Sequence, residues 1–365
     1  MSKMHQERIA RVAQQLAQTE HDIIFVTPGA DLRYLTGYDA LPLERLTCLA
    51  VRRTGEAWMI VPTLEKPSAL AHKVPDMGIE LLDWQETQNP YSLLLSAVGQ
   101  PQRPLVNNLM WVEKAFGIQG ASGTNVELAG KLLSDIREVK TPDEVTYLHE
   151  AGAAIDQVHM NMHKWLRPGR TEREVGKDIA EAILAAGHVT VDFVIVASGP
   201  NGASPHHELS DRVIQAGEPV VVDIGGTMAS GYCSDCTRMY VCGEPPAEYL
   251  EHYAVLMAAQ EAARLHARPG VSCESVDAAA RNVLESAGLG EQFIHRTGHG
   301  IGMETHEEPY IVLGNKSLLV PGHAFSIEPG FYFAGKYGAR IEDIVTCTAD
   351  GIKSANNTTR ELVVL

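Results

Sequence analysis

The sequence predicts an α/β (α+β) chain in two parts: a mixed α/β unit, then a pseudo-two-fold unit built from antiparallel hairpins and helices. Three observations lead there. Residues 1 to about 130 alternate helical periodicity with short apolar β-type runs. A strong helix start follows at Thr141. Beyond it, Arg167-Pro168-Gly169-Arg170-Thr171 returns 101 residues later as Arg268-Pro269-Gly270-Val271-Ser272. At that same offset Val175 matches Val276, and Ala186-Gly187 matches Ala287-Gly288. Each copy reads as a Pro-Gly turn, a capped helix and a glycine stop.

In the first part, Ile9, Val12 and Leu16 mark one face of an opening helix. Ile23-Ile24-Phe25-Val26 reads as a buried strand ended by Thr27-Pro28-Gly29. Thr47 to Val51 and Ala57 to Val61 read as a hairpin about Arg53-Thr54-Gly55. No acid–base cluster occurs here, which predicts scaffold, lid or dimer interface. The predicted division is 1–132 and 133–365. The second part opens with Thr141 as cap, Pro142 in the first turn, and Asp143 and Glu144 at the positive end of the helix dipole. Val145, Leu148, Ile155, Val158, Met162 and Trp165 continue it at helical spacing.

Downstream of each repeat lies a histidine (His206, His306) and then a β run ending in an acid (Asp223, Glu328). Val220-Val221-Val222-Asp223-Ile224 and Phe325-Ser326-Ile327-Glu328 both drive a carboxylate into an apolar strand. An isolated buried carboxylate is costly, so such groups are paired or bound to metal. Asp223 and Asp235 are 12 apart, about a turn centred near Ala229; Glu328 and Glu342 are 14 apart, about Gly335–Gly338. In antiparallel hairpins each pair falls on one face and opposite, where like charges repel. A pair of divalent cations, with His299 among the glycines of Gly298-His299-Gly300, is the simplest shared partner. The oxygen-rich set suits hard or borderline cations such as Mn²⁺, Co²⁺, Fe²⁺ or Zn²⁺, and Mn²⁺ is the ion expected. Two such ions polarise a carbonyl and activate water. Among the remaining histidines, His206, His295 and His306 are candidates for holding the substrate and its tetrahedral intermediate.

Composition narrows the partners. A formal charge of −16 over 365 residues argues against nucleic acid or an anionic membrane. No apolar run approaches the roughly 20 residues needed to span a bilayer. The start lacks a signal-peptide core, so a cytoplasmic protein with reduced thiols is expected. Cys233 and Cys236 have C-x-x-C spacing but sit in a probable strand, where positions three apart face opposite sides; neither a zinc nor a redox role is expected.

The chemistry-bearing text is Val222-Asp223-Ile224-Gly225, Ser234-Asp235-Cys236-Thr237-Arg238, His295-Arg296-Thr297-Gly298-His299-Gly300-Ile301-Gly302, His306-Glu307-Glu308-Pro309, Ile327-Glu328-Pro329-Gly330 and Ala339-Arg340-Ile341-Glu342-Asp343. From about 133 to 365 it resembles the pita-bread metallopeptidases: methionine aminopeptidase, aminopeptidase P, prolidase and the metal-free creatinase. The resemblance implies Asp223 on one metal, His299 and Glu328 on the other, and Asp235 and Glu342 bridging. His295 with Arg340, and Asp31-Leu32-Arg33-Tyr34-Leu35-Thr36-Gly37 in a creatinase/prolidase-type N-terminal domain, point to the proline-directed branch. Two departures stand out: Asp31 replaces a more usual Asn, and the gap between the aspartates is one residue longer than usual.

The expected activity is therefore that of an Xaa-Pro dipeptidase (prolidase), with small Xaa-Pro peptides as substrates and a homodimer as the assembly. Glu328 would carry the proton, and His206 and His306 would stabilise the intermediate. Arg340, whose planar fork fits a carboxylate, would hold the dipeptide's C-terminus or else orient a ligand carboxylate. The alternatives are Xaa-Pro aminopeptidase on longer peptides, a related amidohydrolase, and a catalytically silent binding protein.

Overall fold

In the computed structural model, which describes residues 2–365, the chain forms two compact units, Met1–Arg137 and Glu138–Leu365. The boundary lies five residues beyond the one the sequence predicts. The helix Leu132–Glu138 explains the shift: within the first unit, the Ile136 carbonyl accepts from Arg11 at 3.2 Å and Arg137 pairs with Asp31 at 2.8 Å.

The first unit is a six-stranded sheet of β1 (Ile23–Val26), β2 (Cys48–Arg52), β3 (Ala57–Pro62), β4 (Ile79–Trp84), β5 (Pro104–Val106) and β6 (Glu127–Leu128), in the order β4-β3-β2-β1-β5-β6. The opening helix Ser2–Ala17 buries Ile9, Val12 and Leu16, as their spacing predicts. The Asp31–Gly37 motif is the short helix Ala30–Thr36. Its C-cap Gly37 has φ +68°, where a Cβ would also meet the His5 ring at 2.8 Å.

The second unit opens with the helix Pro142–Met160, started by a capping box between Thr141 and Glu144. The helix stops before Met162 and Trp165, which belong to a following 3₁₀ turn and its end. Four strands form one sheet in the order β17-β9-β8-β7: β7 (His188–Ser198), β8 (Pro219–Met228), β9 (Cys236–Val241) and β17 (Val363–Val364). A five-stranded sheet runs β11-β10-β12-β15-β16, from β10 (Gly298–Gly300), β11 (Glu307–Ile311), β12 (Ala324–Ile327), β15 (Asp343–Cys347) and β16 (Ile352–Ser354). The pair β13 (Gly330–Phe333) and β14 (Tyr337–Arg340) extends it as a separate ribbon.

The internal repeat is structural. The 101-residue offset carries the 14-residue helix Glu172–Ala185 onto the 14-residue helix Cys273–Ser286. A long helix precedes each, Pro142–Met160 and Ala247–His266. In the first half Val220, Val222 and Ile224 pack on Ile155, Val175 and Ile179. In the second, Phe325, Ile327 and Val345 pack on Leu256, Val276 and Ala280. Because strand side chains alternate, the residues between those apolar anchors turn away from the helices. Asp223 lies between Val222 and Ile224 and is one of them.

The six cysteines are free and buried. Cys236 packs in the first-half core, while Cys233 packs with Leu148 and Ile301. The two thiols face different cores, as the strand reading predicts. No helix among the described residues is long and apolar enough to cross a membrane.

Candidate metal centre

The two hairpins bring the acids together in slightly different ways. On β8 and β9, Asp223 pairs with Thr237 and Ile224 with Cys236; a bridge joins Thr227 and Cys233. The turn is therefore centred on Ser230 and not on Ala229. Met228 and Tyr232 close it, with Gly231 at φ +91°. Asp235 lies diagonally from Asp223 and not opposite it. A shift of two residues preserves the face, so both carboxylates still converge.

The second hairpin keeps the predicted register: Ile327 pairs with Asp343 and Gly330 with Arg340, on either side of Glu328 and Glu342. The ladder opens at the acids themselves. Glu328 N donates to the Thr297 carbonyl at 2.8 Å, and Glu342 N to the Thr237 carbonyl at 3.3 Å. Both halves of the unit thereby grip one centre.

His299 reaches that centre on β10. Gly298 and Gly300 permit it, because a Cβ at Gly298 would collide with the Ser326 carbonyl and one at Gly300 with the Glu308 carbonyl. His299 Nε2 lies 3.1 Å from Glu328 Oε1, 3.7 Å from Asp235 and 3.9 Å from Glu342. Its Nδ1 is 3.0 Å from the Gly300 carbonyl. With Nδ1–H donating there, Nε2 is the nitrogen that faces the carboxylates, the orientation in which an imidazole can ligate a metal.

The donor set fits divalent cations. His299, Glu328 and Glu342 offer ligand atoms within 4.8 Å of one another, as do Asp223, Asp235 and Glu342. Asp235, His299 and His306 form a third such group. Asp223 Oδ1 and Glu342 Oε1 are buried with no hydrogen-bond partner. Orphaned carboxylate oxygens in a buried acid cluster are what a cation would satisfy.

Burial, and then the charge of Glu342, pushes Asp235 well above the usual carboxylate range. Burial, and then Glu328, does the same to Glu342. Burial also raises Glu328, but the hydrogen bond and charge of His299 outweigh it and hold that group low. The two raised groups set the sign of a pH effect. A carboxyl raised in the folded state keeps its proton to higher pH than the unfolded chain does. Stability of the metal-stripped protein is then intact below the unfolded values, about 4, and falls as pH rises above them. A bound cation favours the ionised forms and cancels the loss. After chelation, Tm should drop more steeply from about pH 5 to about pH 8 than in protein supplied with Mn²⁺; parallel curves would contradict this.

The centre lines a cavity of about 1170 Å³. Phe193, Ile195 and Ile294 line it, as do Pro205, His206 and His207. His206, His295 and His306 all reach it, as the sequence suggests. The His306 ring centroid is 3.9 Å from that of His299. Burial, and then the charge of His299, pulls His306 down to about 4, so the ring is neutral near pH 7. His295 Nε2 meets the Tyr332 hydroxyl at 2.9 Å, and its Nδ1 the Arg296 carbonyl at 2.7 Å.

Of the two roles the sequence leaves open for Arg340, its contacts favour the second. Its guanidinium donates to Asp223, to Thr237 Oγ1 at 3.0 Å and to the Tyr332 hydroxyl at 2.8 Å. Its near donors are committed to protein, and it braces the Asp223 carboxylate.

Three supporting groups escaped the sequence reading. Glu172 is wholly buried and anchors the loop that carries His206. It accepts from Ser198 N at 2.7 Å, Ser210 Oγ at 2.6 Å and Asn201 Nδ2 at 3.0 Å, and meets His207 Nε2 at 2.8 Å. Arg238 and Asp343 form a buried pair at 2.7 Å behind the centre, and Arg238 also donates to the Glu342 carbonyl at 2.5 Å. Tyr332 links Arg340 to His295. The acid doublet Glu342-Asp343 was the one available signal.

The stretch 146–349 matches the metallopeptidase family M24, and 8–126 matches the creatinase/prolidase N-terminal domain. The chain belongs to metallopeptidase family M24. Among M24 relatives, a probable dipeptidase PepE of Mycobacterium tuberculosis is 47% identical over 365 residues, covering 100% of this chain and 97% of the relative. An Xaa-Pro dipeptidase of Lactobacillus delbrueckii subsp. lactis is 35% identical, covering 96% of each. The crystal structure of dipeptidase PepE from Mycobacterium ulcerans superposes with a TM-score of 0.95 at 48% identity, covering 100% of this chain and 98% of that one. This M24 chain is a metallopeptidase with a creatinase-type domain ahead of its catalytic domain.

Proposed function

We propose that the protein is a dinuclear metal-dependent Xaa-Pro dipeptidase. The observation that carries this is the set of Asp223, Asp235, His299, Glu328 and Glu342 around orphaned buried oxygens at the floor of a peptide-sized cavity. The names of the relatives supply the substrate class. When bound, the cations polarise the scissile carbonyl and lower the pKa of water.

The protein's own groups do the rest. Glu328 is the most open of the four carboxylates, 14% exposed against 9% or less for Asp223, Asp235 and Glu342. That suits it to take the proton lost by the attacking water and return it to the proline nitrogen as the C–N bond breaks. Neutral His306, with His206 also lining the cavity, meets the charge developing on the carbonyl oxygen. His295 helps order the proline side through Tyr332. Arg340 is a positioning residue for Asp223.

Four oxygen ligands and one nitrogen favour Mn²⁺, with Co²⁺ or Zn²⁺ as substitutes. Buried free thiols accord with a cytoplasmic setting. Leu109, Trp111, Val112 and Phe116, exposed on the first unit, accord with a homodimer.

The test is substrate length. Purified enzyme with Mn²⁺ should cleave Xaa-Pro well and Xaa-Pro-Yaa poorly. Comparable kcat/KM on both would move the assignment to Xaa-Pro aminopeptidase.

A further inference from the structure

We propose that Arg296 binds the C-terminal carboxylate of the dipeptide and so sets substrate length; the proposal rests on the Xaa-Pro dipeptidase reading above. A dipeptide cut before its last residue leaves a carboxylate close to the reacting carbon. Three bonds separate the two carbons, so they lie no more than about 4 Å apart. The cation that receives the carboxylate must therefore stand directly beside the metal centre.

Three arginines line the cavity: Arg173, Arg296 and Arg340. Arg173 is 58% exposed and already paired with Asp211 at 2.8 Å. Arg340 is buried and committed to Asp223, Thr237 and Tyr332. Arg296 differs from both. Its guanidinium lies over the face of Tyr310, 4.3 Å from the ring centroid. One Nη touches His306 Nδ1 at 3.4 Å. Among the described residues it forms no ion pair. Stacking occupies the face of the fork and leaves its N–H edges for a planar, two-oxygen partner.

The location suits this, since Arg296 touches His306, whose ring centroid lies 3.9 Å from that of His299. The backbone under Arg296 is also fixed. Asp277 accepts from Thr297 N at 3.0 Å and Thr297 Oγ1 at 2.8 Å. Arg281 pairs with Asp277 at 2.9 Å and donates to the His295 carbonyl at 2.9 Å. His295 Nδ1 holds the Arg296 carbonyl. A cation mounted on so rigid a segment loses little freedom when it binds. A longer peptide offers a neutral amide at this point, which gains much less from a guanidinium.

Arg296→Leu and Arg296→Lys test this in the Mn²⁺ enzyme, with alanyl-proline and alanyl-prolinamide as substrates. Calorimetry with L-proline and L-prolinamide adds a readout independent of turnover. Arg296→Leu should raise KM for alanyl-proline roughly tenfold or more, the loss expected for one charge-assisted pair. Its kcat and metal content should change little, and kcat/KM on alanyl-prolinamide should stay near the wild-type value. Binding of L-proline should weaken and that of L-prolinamide should not. Arg296→Lys keeps the charge without the fork and should recover part of the affinity. Equal losses on acid and amide, or an unchanged KM for the dipeptide, overturn the assignment of Arg296 alone. A wild-type enzyme that hydrolyses no Xaa-Pro dipeptide overturns the reading beneath it.

Discussion

Replacing Asp235 by Ala should remove Xaa-Pro hydrolysis almost completely. The residue lies between the two ligand groups: it offers oxygen beside Asp223 and Glu342, and beside His299 and His306. On the proposed reading, both cations lose a ligand without it. Metal catalysis supplies several kcal/mol of charge stabilisation, so the loss should be on the order of 10³-fold or more. Glu342→Ala should behave alike, because Glu342 also belongs to both carboxylate groups. Metal analysis of the purified variants should show fewer than two ions per chain. A variant that kept both ions and full turnover would show that these side chains are not shared ligands.

His306→Ala should have the second largest effect, by a different route. The ring sits over His299 at the exposed side of the centre, where it can meet the substrate. Loss of a preorganised donor to a developing oxyanion typically costs about 10²–10³ in rate. The five other donors stay in place, so metal content should remain near the wild-type level. If metal and activity fell in proportion, His306 would be a ligand, a reading its grouping with Asp235 and His299 allows.

The cluster of acids was legible because it broke a rule. Carboxylates at the ends of Val220–Val222 and Phe325–Ile327 cannot be buried and unpartnered at once. The register of the Glu328–Glu342 hairpin was legible too, since its Gly335 turn lies midway between the acids. The Asp223–Asp235 register was not. It depends on how many residues the Met228–Tyr232 turn absorbs, and composition leaves that open.

Arg340 shows a deeper limit. Strand periodicity placed it on the metal side correctly, but its partner is Asp223, 117 residues away and on another strand. Only packing chooses between substrate and ligand. Glu172 gave no signal at all. An acid in the first turn of a helix is expected from the dipole alone, so nothing marked it as the buried anchor of the His206 loop. Arg296 carries no signal of its own beyond its motif, because what sets it apart is that it forms no ion pair among the described residues.

The most direct test is titration of metal-depleted enzyme with Mn²⁺ while alanyl-proline hydrolysis is followed. Activity should be absent after exhaustive chelation. It should return with added cation and reach its plateau at two equivalents per chain. Hydrolysis that persists without metal, or saturates fully at one equivalent, would contradict a two-cation centre held by Asp223, Asp235, His299, Glu328 and Glu342.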